Sequence, residues 1–89
     1  FYAKLSENTY LFDGKTHLND FLKVLSFDED YLDEAKGEAE TLAGLMLEIR
    51  KDFLRRGETL AYRRLTLRVD AMDGRRIDKI RVTVADSED

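Results

Sequence analysis

The chain contains no cysteine, no proline and no tryptophan among its 89 residues. Without cysteine, neither a disulfide nor a thiolate metal site can form, and this composition fits a reducing compartment. The longest apolar runs are three residues, far below the roughly 20 residues that a transmembrane helix needs. No signal-peptide pattern is present. If a membrane is involved, it must therefore belong to another part of a longer protein.

Motifs that carry chemistry are also missing from the sequence. The glycines form neither a G-x-G-x-x-G motif nor a P-loop, because they are scattered at positions 14, 37, 44, 57 and 74. Ser6, Ser26 and Ser87 have no base spaced to activate a nucleophile. His17 is the only histidine, so it has no partner for a zinc site or a catalytic triad. The sequence thus predicts no enzyme and no metal site, with His17 as a solvated surface residue.

The composition is that of one small globular domain. Hydrophobic residues make up 43% and charged residues 38% of the chain, which is enough for one modest core and too little for two. A single domain over residues 1–89 is therefore expected. The net charge of −4 comes from mixed signs, so no nucleic-acid partner is expected. The chain opens on Phe1-Tyr2 instead of methionine, which predicts a fragment excised from a larger protein.

The first part of the chain predicts a β-hairpin followed by a helix. Tyr2 to Leu5 and Thr9 to Phe12 are β-prone and are separated by the polar turn Ser6-Glu7-Asn8. Asp13-Gly14 ends the second strand, and Thr16 is expected to be the N-cap of the first helix. The apolar stripe of that helix has the spacing i, i+3, i+4, i+7 and consists of Leu18, Phe21, Leu22 and Leu25.

Residues 28–40 form the one clear shift in composition and are expected to be a loop or a loosely formed helix. Against a single Lys36, their acidic residues are Asp28, Glu29, Asp30, Asp33, Glu34, Glu38 and Glu40. Mg²⁺ and Ca²⁺ prefer oxygen ligands, but an EF-hand starting at Asp28 would need Gly and Glu where Asp33 and Ala39 stand. A solvated acidic connection is preferred to a metal site, and it is favourable beside the N-terminus of the next helix.

The second helix is expected to begin after a capping Thr41 and to be the best formed. Its apolar stripe consists of Leu42, Leu45, Met46, Ile49 and Phe53. Gly44 interrupts it at a cost of about 1 kcal/mol relative to alanine, which indicates that a neighbouring backbone approaches closely. Gly57 is expected to supply the left-handed residue that ends the helix. Because no proline stops it, the helix is expected to extend as far as Arg56.

From Glu58 onward the apolar period changes to two, which predicts three antiparallel strands in a meander. A two-residue turn at Arg63-Arg64 puts Tyr62 opposite Leu65, although two arginines suit type I′ geometry poorly. Leu60 and Leu67 then face each other in the same register.

Asp73-Gly74 is the strongest short hairpin signal in the chain and predicts the second turn of the meander. This register puts Leu67 opposite Ile80. It leaves Ile77 on the outer face, unless a bulge at Asp78-Lys79 turns it inward. The predicted inner face consists of Leu60, Tyr62, Leu65, Leu67, Ile80 and Val82. The predicted class is α+β, with an antiparallel sheet that includes this C-terminal meander and is covered on one face by two helices.

Three blocks resemble the CorC/HlyC family of transporter-associated domains. Residues 41–48 resemble the family's Thr-Leu-Gly-Gly-Leu-Val-Leu-Glu, Gly57-Glu58 its Gly-Asp, and residues 73–77 its Asp-Gly-Arg-Arg-Ile hairpin. The strand ending in Asp-Gly at residues 10–14 also agrees, and order and spacing match over nearly the whole chain. The chain departs from the family at Phe53-Leu54 instead of Ile-Pro, at Arg63-Arg64 instead of Asp-Gly, and at His17 instead of proline.

The resemblance implies a non-catalytic regulatory or assembly module at the C-terminal end of a membrane protein for magnesium and cobalt efflux or ion homeostasis. It implies a soluble domain on the cytoplasmic side of the bacterial inner membrane. The implied partners are the CBS domains and the transmembrane region of the same parent, and a homo-oligomer is left open. Pore formation is not expected from the hemolysin-like name, because both apolar stripes are needed for the core.

A nucleotide- or FAD-binding module is the alternative, because the family's fold is similar to a subdomain of FAD-binding oxidoreductases. Arg55, Arg56, Arg75 and Arg76 are the anion candidates, as they are expected near one end of the meander. Solvated arginines are nevertheless preferred to a site, because anion sites are ordinarily completed by convergent backbone amides. No cofactor is therefore expected. The candidate interface is the outer sheet face, where Ile77 is expected beside Arg68 and Arg81.

Overall fold

The computed structural model describes residues 2–86, which form five strands and three helices in the order ββαααβββ. The elements are β1 Tyr2–Ser6, β2 Thr9–Asp13, α1 Leu18–Leu25, α2 Asp33–Lys36, α3 Leu42–Arg50, β3 Thr59–Tyr62, β4 Leu65–Asp73 and β5 Arg76–Val84. The strands make one sheet in the spatial order β1-β2-β5-β4-β3, and every neighbouring pair is antiparallel. The predicted α+β class and the C-terminal meander are confirmed, with α2 as an additional short helix.

One apolar core fills the space between the sheet and the helices. Its fully buried side chains include Phe12, Phe21, Leu32, Leu42, Leu45, Met46, Leu65, Leu67, Val69, Ile80 and Val82. Phe12 on β2 packs edge-to-face on Phe21 of α1, with 4.9 Å between the ring centroids, an arrangement that aromatic pairs favour. Of the predicted inner face, only Leu60 and Tyr62 on the edge strand β3 are half-buried rather than buried.

The two predicted helix caps have different outcomes. Thr41 caps α3 as predicted, because its Oγ1 accepts a hydrogen bond from the Gly44 N–H at 3.2 Å. The prediction for Thr16 is wrong: His17 occupies the N-cap position of α1 and makes no side-chain cap bond. Thr16 is buried, and its carbonyl accepts from the Leu42 N–H at 2.9 Å, which ties the starts of α1 and α3 together. His17 is exposed, as predicted.

The end of α3 differs from the sequence prediction. The helix stops at Arg50, and Lys51 takes the left-handed conformation with φ 63° while its N–H bonds to the Leu47 carbonyl. Phe53 therefore lies outside the helix with 80% of its surface exposed, and the prediction that it belongs to the core stripe is wrong. Gly57, with φ 91°, lies in the turn before β3 instead, where its N–H bonds to the Val69 carbonyl.

The predicted first turn of the meander, at Arg63-Arg64 between β3 and β4, is confirmed, with Tyr62 opposite Leu65 in the predicted register. Arg63 adopts a positive φ of 53°, which is costly for a side chain other than glycine. Two contacts with Tyr31 offset that cost. The Arg63 guanidinium lies 4.1 Å from the centre of the Tyr31 ring, and the Tyr31 hydroxyl accepts a hydrogen bond from the Arg64 N–H at 2.9 Å. Tyr31 lies in the acidic segment 28–40, which contains only the one-turn helix α2, as predicted.

The second hairpin has a different register from the predicted one. The turn residues are Gly74-Arg75, with Gly74 at φ 63°, and Asp73 pairs with Arg76. Leu67 consequently faces Val82 and not Ile80. The difference is two positions along the partner strand, and the same side chains still face the core because side-chain direction repeats every two residues.

Two bulges in the same hairpin turn Ile77 inward. One extra residue, Asp70, lies in β4 between Val69 and Ala71, and Asp78 is extra in β5. Ile77 is only 7% exposed, so the prediction that it lies exposed on the outer face is wrong. The physical reason is the alternative considered from the sequence: a bulge breaks the alternation, so Ile77 and Ile80 point to the same side.

Leu67→Ala should destabilise the protein by about 2 to 5 kcal/mol, because it removes a fully buried side chain from the centre of the sheet. Chemical denaturation monitored by circular dichroism measures the change. The neighbouring Thr66→Ala is the control, since Thr66 points to solvent from the same strand. A Leu67→Ala protein as stable as the control would contradict this placement of the core.

Candidate functional site: a charged groove beside Gly14

Three segments of backbone meet at Gly14, directly after β2. The Gly14 N–H donates to the Asp78 carbonyl at 2.8 Å, and the Gly14 carbonyl accepts from the Ala43 N–H at 3.0 Å. A Cβ atom at this position would lie 2.1 Å from the Ile77 carbonyl oxygen, closer than any side-chain atom can approach. Only glycine thus lets the end of β2, the start of α3 and the bulge of β5 come together.

An open groove of about 410 Å³ lies over this junction, between the β4–β5 turn and the first turns of α3. We call it the hairpin groove. It is lined by Asp13, Gly14, Lys15, Thr41, Ala43, Leu47, Asp73, Arg75, Arg76, Ile77, Asp78 and Lys79. Leu47 contributes an apolar surface that is 42% exposed, so the groove combines charged walls with one apolar contact.

One pair of charges in the groove is fixed across the sheet. Lys79 Nζ lies 2.5 Å from Asp13 Oδ1 and 3.8 Å from Asp78 Oδ1. The hydrogen bond from Lys79 lowers the pKa of Asp13 below its usual 3.8, and the bond to Asp13 raises the pKa of Lys79 above 10.5. Both groups are therefore charged near neutral pH, and the pair links β2 to β5 at the edge of the groove.

The other three cations of the groove have no such partner. Lys15, Arg75 and Arg76 are exposed and form no ion pair with any residue between 2 and 86. Arg75 and Arg76 were anion candidates from the sequence, whereas Lys15 and Leu47 were not recognised. Leu47 had a visible signal, since it is an apolar residue off the stripe of α3, but only the fold brings Lys15 to the hairpin.

The other anion candidates do not join this groove. Arg55 and Arg56 are exposed in the loop between α3 and β3, at the same end of the sheet but not among the lining residues. The Arg55 N–H is bonded to Glu58 Oε2 at 2.6 Å. Arg55 and Arg56 therefore do not line the groove with Arg75 and Arg76, and all four arginines are exposed.

The outer face of the sheet carries an ion triad instead of an apolar patch around Ile77. Arg81 Nη2 lies 2.9 Å from Asp70 Oδ2, and Arg68 Nη1 lies 3.7 Å from Asp70 Oδ1. Arg68 and Arg81 therefore occupy the predicted face, but both face the carboxylate of the bulge residue. Ile77, which was expected beside them, contributes to the opposite side of the sheet.

Residues 2–86 contain neither a metal-ligand cluster nor a membrane-spanning helix. No three acidic or histidine side chains in this range are grouped so that they could hold a metal ion. No helix in the same range is long and apolar enough to cross a membrane. The acidic residues of segment 28–40 are exposed, and Lys36 pairs with Asp33 at 3.4 Å.

The fold is a small α+β domain, and its surface carries a groove lined by charged side chains. The chain belongs to the CorC_HlyC family, described as a transporter associated domain, and the family model matches residues 3–86. The resemblance found in the sequence is thereby confirmed.

Relatives of known structure or name support this membership. The transporter associated domain from a CBS domain protein of Porphyromonas gingivalis is 35% identical, with a TM-score of 0.89 over 96% of this chain and 98% of that one. A polyamine export protein of Escherichia coli K12 is 32% identical over 92% of this chain and 18% of its own length. A magnesium and cobalt efflux protein CorC of Pasteurella multocida is 28% identical over 96% and 27%. The chain thus spans only a minor part of the curated relatives it matches.

Gly14→Ala should destabilise the protein by about 1 to 3 kcal/mol, because the new methyl group would displace the Ile77 carbonyl. Gly44→Ala is the matched control. Its Cβ would lie 3.3 Å from the Ala39 Cβ and the Thr41 Oγ1, so the close neighbours are side chains and not the expected backbone. A gain in helix propensity of about 1 kcal/mol offsets that contact. Equal losses in both variants, measured by urea unfolding, would contradict the junction.

The ion pair across the sheet should make stability depend on pH. The folded-state pKa of Asp13 is lowered, so its stabilising effect is present above the unfolded-state pKa and is lost as pH falls through the folded-state pKa. We expect wild type to be more stable than Asp13→Asn at pH 6, and the difference to shrink as pH falls below 3.8 and to be lost below the lowered folded-state pKa of Asp13. Thermal melts across this range test it. A difference that stays constant with pH would show that the ionised carboxylate is not the cause.

Proposed function

We propose that this chain is a non-catalytic regulatory or assembly module of a membrane protein that exports cations. The observation that carries the proposal is membership of a transporter-associated family over residues 3–86. The named relatives export polyamines in one case and magnesium and cobalt in the other. All of these are cations, so a common module suits control or assembly of the exporter better than recognition of one cargo.

The proposed setting is the cytoplasmic side of the bacterial inner membrane, with the transmembrane region and CBS domains of the same parent as partners. The solved Porphyromonas gingivalis relative comes from a CBS domain protein, which supports the second partner. The domain would act through contacts between its surface and these partners, and it would not insert into the bilayer. Association between copies through the parent is compatible with this role.

The proposal includes no cofactor. For FAD or another nucleotide, the phosphates would need convergent donors, but Arg55 and Arg56 do not line the groove with Arg75 and Arg76. The first amides of α3 are already bonded to the Thr16 carbonyl, the Gly14 carbonyl and Thr41 Oγ1. Nothing in residues 2–86 favours the nucleotide alternative.

The outer face remains a candidate contact surface through Arg68 and Arg81 alone. Ile77, the apolar residue on which that hypothesis depended, is buried, and Asp70 already neutralises part of the arginine charge. A contact there would have to displace or share these ion pairs. Such displacement is feasible because salt bridges near the surface are weak.

Deletion of residues 1–89 from the full-length parent should change transport without preventing membrane insertion. A regulatory coupling of ordinary size would alter the export rate or the effective cation concentration by about fivefold or more. Uptake and efflux assays with Mg²⁺, Co²⁺ and spermidine, combined with quantification of the parent in isolated membranes, measure this. Replacement by a flexible linker of equal length is the control for spacing. Unchanged export, assembly and abundance together would refute the proposed function.

A further inference from the structure

The walls of the hairpin groove are held in place without a ligand. Gly14 joins β2 to the bulge of β5 and to the start of α3 through two backbone hydrogen bonds, and the ion pair between Asp13 and Lys79 braces the same strands. The exposed side chains of the groove therefore project from a fixed base. A partner that binds there needs to order only a few side chains, which lowers the entropic cost of binding.

The charge of the groove is unbalanced in the opposite direction to that of the chain. Four cations and three acids line it, whereas the whole chain has a net charge of −4. The ion pair between Lys79 and Asp13 cancels one charge of each sign, which leaves Lys15, Arg75 and Arg76 against Asp73 and Asp78. This surface consequently offers spare positive charge and favours an acidic partner over a basic one.

An apolar contact accompanies these cations. Leu47 is 42% exposed on the side of α3 that faces the groove, and the half-buried Ala43 lies one turn before it. Partner surfaces commonly combine an apolar centre with a charged rim. The groove combines both kinds of contact, because Leu47 lines it together with cations contributed by two other segments.

We propose that the hairpin groove docks an acidic protein segment in extended conformation. Carboxylates of the segment would pair with Lys15, Arg75 and Arg76, and an apolar side chain between them would cover Leu47. This inference rests on the proposed function, since it names the surface through which the module contacts its parent or another protein.

The geometry favours a protein segment over other anionic partners. Phosphate sites usually gather backbone amides, but the first three amides of α3 are occupied by Thr16, Gly14 and Thr41. The cations line a concave groove of about 410 Å³. A flat bilayer surface would not fill such a groove, whereas an extended segment would. Phe53, the most exposed large apolar side chain among residues 2–86, is not among the lining residues of the groove.

Fluorescence anisotropy with a labelled peptide tests the proposal on the 89-residue protein, whose Porphyromonas gingivalis relative was solved as a chain of matching extent. The probe is a synthetic peptide of about eight residues that alternates glutamate and leucine and suits an extended conformation. We expect the double variant Arg75→Glu and Arg76→Glu to weaken binding about tenfold, because two favourable charge pairs become repulsive. Leu47→Ala should weaken binding of this peptide more than that of one with serine in place of leucine.

The matched control is the double variant Arg55→Glu and Arg56→Glu, which makes the same change in net charge outside the groove. We expect it to alter affinity by less than about twofold. Equal weakening by both double variants would overturn the proposal in favour of general electrostatics. Displacement of the peptide by millimolar phosphate would indicate a small-anion site, and preference for vesicles containing phosphatidylglycerol would indicate a lipid surface; either result overturns it. Thermal melts establish that each variant is folded.

Failure of this inference is distinguishable from failure of the proposed function. If deletion of the domain changes export in the parent while Arg75→Glu with Arg76→Glu has no effect on peptide binding, the module acts through a different surface. If the peptide binds as expected but deletion changes nothing in cells, the groove is a docking site without the proposed transport role.

Discussion

The close approach at Gly14 is the constraint on which the arrangement of this domain depends. A single residue without a side chain lets the end of β2 bond both to the bulge of β5 and to the start of α3. The bulge turns Ile77 into the core and aims the Asp78 carbonyl at Gly14. The same contact sets the distance between α3 and the β4–β5 turn. The junction at Gly14 therefore both buries Ile77 in the core and leaves the hairpin groove open above it.

Sequence reasoning recovered the elements and their faces but not the irregularities between them. Apolar periodicity identified the strands, because each buries one face, and the register of the first hairpin followed from Tyr62 and Leu65. The predicted register of the β4–β5 hairpin is wrong because composition alone does not show whether Asp73-Gly74 or Gly74-Arg75 occupies the two central positions of the turn. The bulge at Asp78 depends on a hydrogen bond to Gly14, a residue 64 positions away, and no local pattern can show such a contact.

The same distinction applies to the site. Arg75 and Arg76 were recognisable because they follow a turn signal, but the groove also needs Lys15 and Leu47, which only tertiary packing brings beside them. Phe53 was assigned to the core stripe because the left-handed Lys51 that ends α3 is not glycine. Arg63 shows the opposite case: a poor turn residue is tolerated because Tyr31, 32 positions away, packs on its guanidinium.

The arginines of this domain differ in whether an acidic side chain of the same domain already pairs with them. Arg68 and Arg81 share the carboxylate of Asp70, so a new partner on the outer sheet face would have to compete with an existing interaction. Arg75 and Arg76 lie on a turn with no ion-pair partner in residues 2–86, and a partner there would add interactions without breaking any. A segment bound between this turn and α3 would also contact elements that meet at Gly14. Because β2, β5 and α3 are already joined at Gly14, such a segment would bind a preformed surface and would move together with the whole domain.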